Sequence, residues 1–402
     1  MKRMKKSLKW TLVVALGLAI SLSAAWLSLD KSVRYLVLNP PTDLNVLFWS
    51  QAQRDAGFQS IDTLPIVPKN TIKANSSIRP TLKLGQSLIL NQTDIDQFMR
   101  DNRVAGLVVL HNGKIRLEQY ALDFDQNKKW TSFSVAKSFT STLIGAAIKD
   151  GYIKSLQDNV SDYIVSMKGS EYDNVTIEQL ITMTSGVQWN EDYEDIQSDV
   201  SKFNFHTPEP GVDAIASYMR QLPRAYPAGT QWSYSTGETN LVGLLLQKAI
   251  NKPLAEYLSE KIWSKIGVEQ DASWVLGPSG NEIGGCCIQA STRDFATFGQ
   301  FFLDGAKING ETIVPDNWIT KATSKQTATN ETHGYGYQWW TSTDGSYQAK
   351  GIFGQGIFID PKRNLVVAVN GNWPVAYNSV FASRNDSFYK TIQQSIDKEK
   401  GQ

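Results

Sequence analysis

The feature that most constrains the fold is the distribution of β-type patterns, which occur near both ends of the chain while helical patterns occupy the middle. Residues 104–120, VAGLVVLHNGKIRLEQY, predict a β-hairpin, because two β-rich runs flank Asn112-Gly113, the preferred pair for a type I′ turn. Further strands are predicted at 334–341, 349–359 and 365–369. Consecutive hairpins favour antiparallel pairing. We therefore predict an α/β (α+β) fold, with one antiparallel sheet built from both chain ends and flanked by helices, and a helical lobe from the middle.

The helical pattern is clearest after the hairpin. From Ser134 to Lys149 apolar residues recur at helical spacing, and Gly151 follows as a stop signal. Other helices are predicted at 176–184, 241–250, 254–266, 292–303 and 378–398.

The first 31 residues differ from the rest in charge and hydropathy. They carry a net charge of +5, which leaves −4 on the remaining chain. Twenty uncharged residues lie between Lys9 and Asp30, and as a helix they span roughly 30 Å, the hydrocarbon thickness of a bilayer. The basic cluster before them favours an anchor in the cytoplasmic membrane, with the main domain in the periplasm or outside. A cleaved signal peptide ending near Ala25 is the alternative, and both readings predict an exported protein.

The composition and order of the chain define three regions. With 41% hydrophobic and 20% charged residues, the 402-residue chain is typical of a globular protein, and its net charge of +1 gives no reason to expect nucleic acid as a partner. We predict an anchor or signal peptide at 1–31, a Pro-, Asn- and Ser-rich arm at 32–85 and the main domain at 86–398.

The two cysteines, Cys286 and Cys287, are adjacent. Neighbouring cysteines rarely bond to each other, and two of them provide neither a disulfide framework nor a four-ligand metal site. We expect two small residues that pack in a Gly-Gly-Cys-Cys strand. No metal cluster or phosphate-binding loop is visible, so no metal and no cofactor are predicted.

Ser134-Val135-Ala136-Lys137 is the candidate catalytic motif. The same spacing also begins at Ser28, Ser387 and Ser395, so the context decides. Only Ser134 opens an apolar helix, where the dipole favours a developing negative charge and Lys137 falls one turn along on the same face. Burial of such a lysine would make it partly neutral and able to accept a proton.

Several stretches resemble the serine β-lactamase and penicillin-binding protein superfamily, in its class C-like branch, and they follow the family's order. They are SFSVAKSFTSTLIG, TIEQLITMTSGVQWNEDY, YPAGTQWSYSTGETNLVGLLLQKAINKPLAEYLSEKIWSKIGV, ASTRDFATFGQFFLDGAKINGETIVP, GYGYQWW and GIFGQGIFIDPKRNLVVAV. The resemblance covers roughly residues 85–395 and is closest in character to 6-aminohexanoate-dimer hydrolases and family VIII esterases. It implies the β-lactamase-like fold.

The resemblance also implies roles for individual residues. Ser134 matches the acylated nucleophile, Lys137 its base and Tyr234 the tyrosine that relays a proton to the leaving group. The backbone N–H groups of Ser134 and Ile352 match the two donors of the oxyanion hole. Gly351 matches a position where substrate approaches the strand closely.

Two departures from the family pattern bear on the substrate. Thr236 stands where the family usually has an asparagine that contacts the substrate amide. Ala349, in Ala349-Lys350-Gly351, stands where a lysine usually helps to bind the carboxylate of penicillins, and Lys350 is expected on the other, solvated face of the strand.

Aromatic and acidic residues near the motifs are candidates for substrate binding. The aromatic candidates, each of which has core packing as its alternative, are Trp189, Tyr193, Trp339 and Trp340. The acidic stretch Glu191, Asp192 and Glu194 is expected to be a solvated loop, and attraction of a cationic substrate is the alternative.

The resemblance implies a serine hydrolase that cleaves a small-molecule ester or amide through an acyl-enzyme on Ser134. Two alternatives remain open: a β-lactamase or D-Ala-D-Ala carboxypeptidase, and a non-catalytic penicillin-binding-like module of the cell envelope. The chain has only three histidines and no Gly-x-Ser-x-Gly elbow, which argues against a Ser-His-Asp hydrolase.

Overall fold

The computed structural model describes residues 2–78, 80, 82–330 and 332–400. Its helices are α1 (Lys2–Ser28), α2 (Lys31–Leu38), α3 (Gln51–Gly57), α4 (Gln92–Asp101), α5 (Ala136–Lys149), α6 (Val160–Tyr163), α7 (Ile177–Ile181), α8 (Asp199–Lys202), α9 (Ala214–Met219), α10 (Thr236–Ile250), α11 (Leu254–Leu258), α12 (Thr292–Leu303), α13 (Trp318–Thr323) and α14 (Ser379–Lys400). Its strands are β1 (Lys69–Ile72), β2 (Lys83–Leu84), β3 (Val104–His111), β4 (Lys114–Tyr120), β5 (Trp130–Thr131), β6 (Ala272–Val275), β7 (Ile288–Ala290), β8 (Lys307–Ile308), β9 (Glu311–Thr312), β10 (Thr327–Ala328), β11 (His333–Tyr335), β12 (Trp340–Ser342), β13 (Tyr347–Lys350), β14 (Gly356–Asp360) and β15 (Leu365–Gly371).

The main sheet has nine strands in the order β10-β11-β12-β13-β14-β15-β3-β4-β2. The C-terminal strand β15 pairs antiparallel with β3, so the two ends of the domain meet in the middle of the sheet. Asn112 and Gly113 both adopt positive φ between β3 and β4, as a type I′ turn requires. The predicted sheet built from both chain ends and the predicted fold class are therefore confirmed.

Helices cover both faces of this sheet. On one face α4 and α14 pack together, with the rings of Phe98 and Phe388 stacked at a centroid distance of 3.9 Å. On the other face α12 packs on the sheet, and the predicted bounds of this helix, 292–303, agree with the structure. Phe298 of α12 stacks on Phe139 of α5 at 3.5 Å, so the helix that follows the candidate nucleophile is anchored to the sheet through α12.

Several predicted elements are interrupted. The predicted strand 334–341 is two strands, β11 and β12, which turn back on each other at Gln338, whose φ is +62°. The predicted strand 349–359 is likewise divided into β13 and β14 by a 3₁₀ turn at Ile352–Gly354. The predicted helix 254–266 ends as α11 at Leu258 and continues as a π-helical turn.

The arm at 32–85 contains more regular structure than its composition suggests. It holds most of α2, the whole of α3 and two short strands, of which β1 pairs with β6 in a second, four-stranded sheet and β2 runs parallel to β4. The arm therefore belongs to the fold of the domain.

The N-terminal segment forms the long helix α1. No helix in the described part of the chain has the length and apolarity that crossing a membrane requires. The anchor and the export of the main domain stay predictions.

Candidate active site

The candidate nucleophile lies in a turn that leads into α5. Ser134 is the middle residue of a 3₁₀ turn, Phe133–Val135, and α5 begins at Ala136, two residues later than predicted. Lys137 lies in the first turn of α5 with 1% of its surface exposed. The sequence therefore brings a half-buried serine and a fully buried lysine together at the start of one apolar helix.

Neutral oxygen atoms hold the Lys137 amine. Its Nζ donates to the Thr236 hydroxyl at 3.1 Å and to the Gly285 carbonyl at 3.0 Å. Burial lowers the pKa of Lys137 to about 8, and the Glu191 carboxylate opposes this by raising it. A substantial neutral fraction is thus present near pH 8, as a general base requires.

Tyr234 lies between the lysine and an aromatic group. Nζ of Lys137 is 5.3 Å from the Tyr234 ring centroid, and Trp340 stacks on this ring at a centroid distance of 5.7 Å. Burial and then Glu191 raise the pKa of Tyr234 far above its usual value, while a hydrogen bond with Ser134 lowers it. The tyrosine therefore stays protonated at physiological pH, with its hydroxyl beside the serine.

The expectation that Lys350 is solvated is wrong. Lys350 is half-buried, with Nζ 5.4 Å from the centroid of the Trp340 ring. Burial lowers the pKa of Lys350. Ala349 alternates to the opposite face and is 1% exposed in the core, because successive strand residues point to opposite faces.

Glu191 is turned inward, so the expectation of a solvated acidic loop is wrong for this residue. Its carboxylate accepts hydrogen bonds from the N–H of Thr236 at 2.9 Å and from the Tyr193 hydroxyl at 2.7 Å. The Thr236 hydroxyl and the Trp189 indole also donate to it. A hydrogen-bonded chain therefore runs from Lys137 through Thr236 to Glu191, whereas Asp192 and Glu194 are exposed. The sequence showed no signal that separated Glu191 from its acidic neighbours.

A cavity of about 130 Å³ opens at the candidate nucleophile, and none of its lining residues is charged. The lining residues are Asn45, Val46, Leu47, Phe133, Ser134, Tyr193, Val200, Phe203, Asn204, Thr236, Ile283, Gly285, Cys286, Cys287 and Ile352. Three of them belong to the arm, which sequence reasoning did not connect with the site.

The two residues that carry the candidate oxyanion donors both line this cavity. Ser134 and Ile352 line it together, and a Cβ added to Gly351 would meet the Ser132 carbonyl oxygen at 2.7 Å. Glycine at 351 therefore allows β13 to approach the nucleophile turn. Within the described part of the chain, the N–H groups of Ser134 and Ile352 donate no hydrogen bond, which leaves both donors available.

The strand expected at the two cysteines is wrong, and of the two roles open to Trp339 the structure favours core packing. Cys286 and Cys287 lie in a turn before β7 and are joined by a disulfide, with Cα atoms 3.7 Å apart; the positive φ of Cys287 shows that this backbone is not the extended strand that was expected. Trp339 is fully buried and stacks on Phe302 at 4.4 Å, so it belongs to the core. Of the other aromatic candidates, Tyr193 lines the cavity and Trp189 lies behind it against Glu191.

The architecture and this site together define a class of protein. A sheet from both chain ends, a helical lobe and a Ser-x-x-Lys turn between them form the β-lactamase-like fold. The chain belongs to the beta-lactamase family, whose model matches residues 91–381.

Relatives and solved structures agree with this assignment. The chain is 25% identical over 311 residues to the 6-aminohexanoate-dimer hydrolase of Paenarthrobacter ureafaciens, a match that covers 73% of this chain and 79% of the relative. A Bacillus anthracis protein described as a candidate 6-aminohexanoate-dimer hydrolase superposes with a TM-score of 0.76 at 22% identity, covering 89% of this chain and 99% of that one. A class C β-lactamase superposes with a TM-score of 0.54 at 17% identity, covering 76% and 94%.

Proposed function

We propose that the protein is a serine hydrolase that cleaves an ester or amide bond through an acyl-enzyme on Ser134. The Ser134 hydroxyl oxygen attacks the substrate carbonyl, and its proton passes through Lys137 and Tyr234 to the leaving alcohol or amine. The negative charge that develops on the carbonyl oxygen is stabilised by the N–H groups of Ser134 and Ile352. Water then hydrolyses the serine ester and regenerates the hydroxyl.

The observation that carries this proposal is the state of Lys137. It is fully buried one turn after Ser134, contacts only neutral hydrogen-bond acceptors, and has a pKa lowered to about 8 by burial. Burying an amine without a charged partner costs stability, so such a lysine marks a candidate functional site, and its neutral form here can take the serine proton.

The substrate class follows from the charge of the site. The cavity at Ser134 has no charged lining residue, and Ala349 supplies no cation where penicillin-recognising relatives have lysine. Both features favour a neutral acyl group over the carboxylate-bearing substrates of β-lactamases and D-Ala-D-Ala carboxypeptidases. The relatives include the 6-aminohexanoate-dimer hydrolase of P. ureafaciens, so the linear dimer, a zwitterion, is tested beside a neutral ester.

The test is to assay the full chain with nitrophenyl butyrate, a linear 6-aminohexanoate dimer and a chromogenic cephalosporin. We expect turnover of the ester or the amide dimer above the cephalosporin, and a fluorophosphonate adduct on Ser134 by mass spectrometry. Ser134→Ala should lose activity at least a thousandfold. Ser387→Ala is the matched control, because Ser387 begins the same Ser-x-x-Lys spacing at an exposed position of α14.

Preferred turnover of the cephalosporin would instead support the β-lactamase alternative. Absence of both turnover and adduct in the wild type would overturn the hydrolase proposal and support the non-catalytic module.

A further inference from the structure

The arm contributes a phenylalanine to the packing around the oxyanion donors. Phe58, which follows α3, is fully buried. Its ring centroid lies 4.9 Å from that of Phe133 and 5.3 Å from that of Phe353, and the latter two are 5.4 Å apart. The three rings therefore form a closed triangle. Phe133 directly precedes Ser134 in the chain, and Phe353 directly follows Ile352.

The two phenylalanines beside the donors have an uncommon backbone. Phe133 has φ of +42° and Phe353 has φ of +60°, in the left-handed region that bulky L-residues rarely adopt. Such a conformation is unfavourable by itself and persists only where its surroundings hold it. The contacts of the Phe133 and Phe353 rings with Phe58 supply such a restraint for both residues at once.

A second residue of the arm, Arg54, also contacts the Phe353 ring and restrains it. The guanidinium of Arg54, in α3, is 4.8 Å from the Phe353 ring centroid. Arg54 is 5% exposed and donates to the Asn372 side chain at 3.1 Å and to the carbonyl oxygens of Pro374 at 2.7 Å and Trp49 at 2.5 Å. Its position is therefore fixed by several elements, and the ring it contacts is fixed with it.

We propose that Phe58 and Arg54 are positioning residues for the oxyanion hole, so that the arm is a working part of the active site. This inference rests on the proposed function. The family model matches residues 91–381, so both residues lie outside the matched range. They act through Phe133 and Phe353, which fix the course of the backbone through Ser134 and Ile352. The N–H groups of those two residues then point into the cavity before substrate arrives, which is the preorganisation that oxyanion stabilisation needs.

A positioning role and a purely structural role predict different kinetics. The oxyanion forms only in the transition state, so a misdirected donor lowers kcat and leaves KM nearly unchanged. It also weakens the binding of phenylboronic acid, which forms a tetrahedral adduct with a nucleophilic serine. A purely structural role lowers stability, but it changes neither kcat nor the affinity for phenylboronic acid below the melting temperature.

The test compares Phe58→Leu and Arg54→Lys with the matched control Phe388→Leu in the full chain. Phe388 is also a buried, stacked phenylalanine, but it packs between α4 and α14, on the face of the sheet that α12 does not cover. For Phe58→Leu we expect kcat for nitrophenyl butyrate to fall about tenfold, KM to change less than twofold and phenylboronic acid affinity to fall about tenfold; loss of a whole oxyanion donor costs about a hundredfold or more. Arg54→Lys should show the same pattern with a smaller loss, because lysine lacks the planar fork that holds three acceptors.

The outcomes separate this inference from the proposed function. An unchanged kcat in Phe58→Leu beside an active wild type would overturn the inference alone, and so would an equal fall in kcat in Phe388→Leu. If the wild type itself shows neither turnover nor phenylboronic acid binding, the proposed function fails and the inference fails with it.

Discussion

Glu191 sets the electrostatic environment of the candidate base, so we expect Glu191→Gln to change the pH dependence of the enzyme. In the wild type kcat/KM should rise with pH through an apparent pKa of about 8, as Lys137 loses its proton. Glu191 raises the pKa of Lys137, and glutamine removes that charge, so the rise should move to lower pH. Tyr234 stays protonated over this range because its pKa is raised by burial.

The measurement is the pH–rate profile of kcat/KM between pH 5 and pH 10. Glu194→Gln is the control, since Glu194 lies in the same loop but is exposed. An unmoved profile in Glu191→Gln would show that the chain from Lys137 through Thr236 to Glu191 does not set the protonation of the base.

Lys137 should also make stability depend on pH. Its pKa is lowered from 10.5 to about 8 in the folded protein, so between these values the unfolded chain binds more protons and stability rises with pH. The buried lysine thus costs about 3 kcal/mol below pH 8 relative to pH above 10.5, since each pKa unit corresponds to about 1.4 kcal/mol. Lys137→Met should abolish activity and remove this dependence.

Thermal unfolding of wild type and Lys137→Met at pH 7 and pH 10 is the measurement. The variant's advantage in Tm should be larger at pH 7 than at pH 10. An equal difference at both values would mean that Lys137 titrates normally.

Single residues also show where sequence reasoning reached its limit. Ser134 and Lys137 were identifiable, because theirs is the one of the four Ser-x-x-Lys spacings that begins an apolar helix. Trp339 and Trp340 were not separable, because the turn at Gln338 decides which ring enters the core and which one meets Tyr234. A bond between adjacent cysteines was equally invisible, because it depends on the turn conformation around Cys287.

At the scale of elements, the 3₁₀ turn Val46–Phe48 of the arm should determine acyl-chain length. Leu47 lines the cavity at Ser134 and is half-buried. Leu47→Ala should enlarge the cavity and raise the ratio of kcat/KM for nitrophenyl octanoate over butyrate by about tenfold, because the space left by the side chain would bury about two further methylenes at about 0.8 kcal/mol each. Phe48→Ala, in the same turn but outside this cavity, is the control. A ratio that Leu47→Ala leaves unchanged would place the acyl chain elsewhere.

Element boundaries were predictable where a short turn or capping motif marks them. Asn112-Gly113 marks one turn and the Ser291 cap marks the start of α12, and both signals depend on a few neighbouring residues. The breaks at Gln338 and at Ile352–Gly354 interrupt runs of aromatic and aliphatic residues, where tertiary packing imposes positive φ on Gln338 and Phe353. The arm was unpredictable for a related reason, since α3 is held by contacts with residues such as Asn372 that are distant in sequence.

At the scale of the whole molecule, α14 and α4 together cover one face of the main sheet. We expect Phe388→Ala to lower the free energy of unfolding by about 3 kcal/mol, the usual cost of removing a buried aromatic ring. The kcat of the remaining folded protein should not change, because Phe388 and the site lie on different sides of the sheet. Chemical denaturation beside Val380→Ala, an exposed position of the same helix, is the measurement. A loss no larger than in Val380→Ala would show that the Phe388 ring contributes nothing to the stability of this face.

Because the main sheet combines strands from both ends of the domain, it can be completed only late in synthesis. During synthesis Ser134 and Lys137 leave the ribosome long before β13, β14 and β15, because Ile352 and the strands around it lie more than half a chain later. The strand β3 has no β15 to pair with until then, and one oxyanion donor does not yet exist. A chain that ends before these strands therefore carries the candidate nucleophile and base without the second candidate oxyanion donor. Under the proposed function, activity can arise only after the strands around Ile352 have been synthesised.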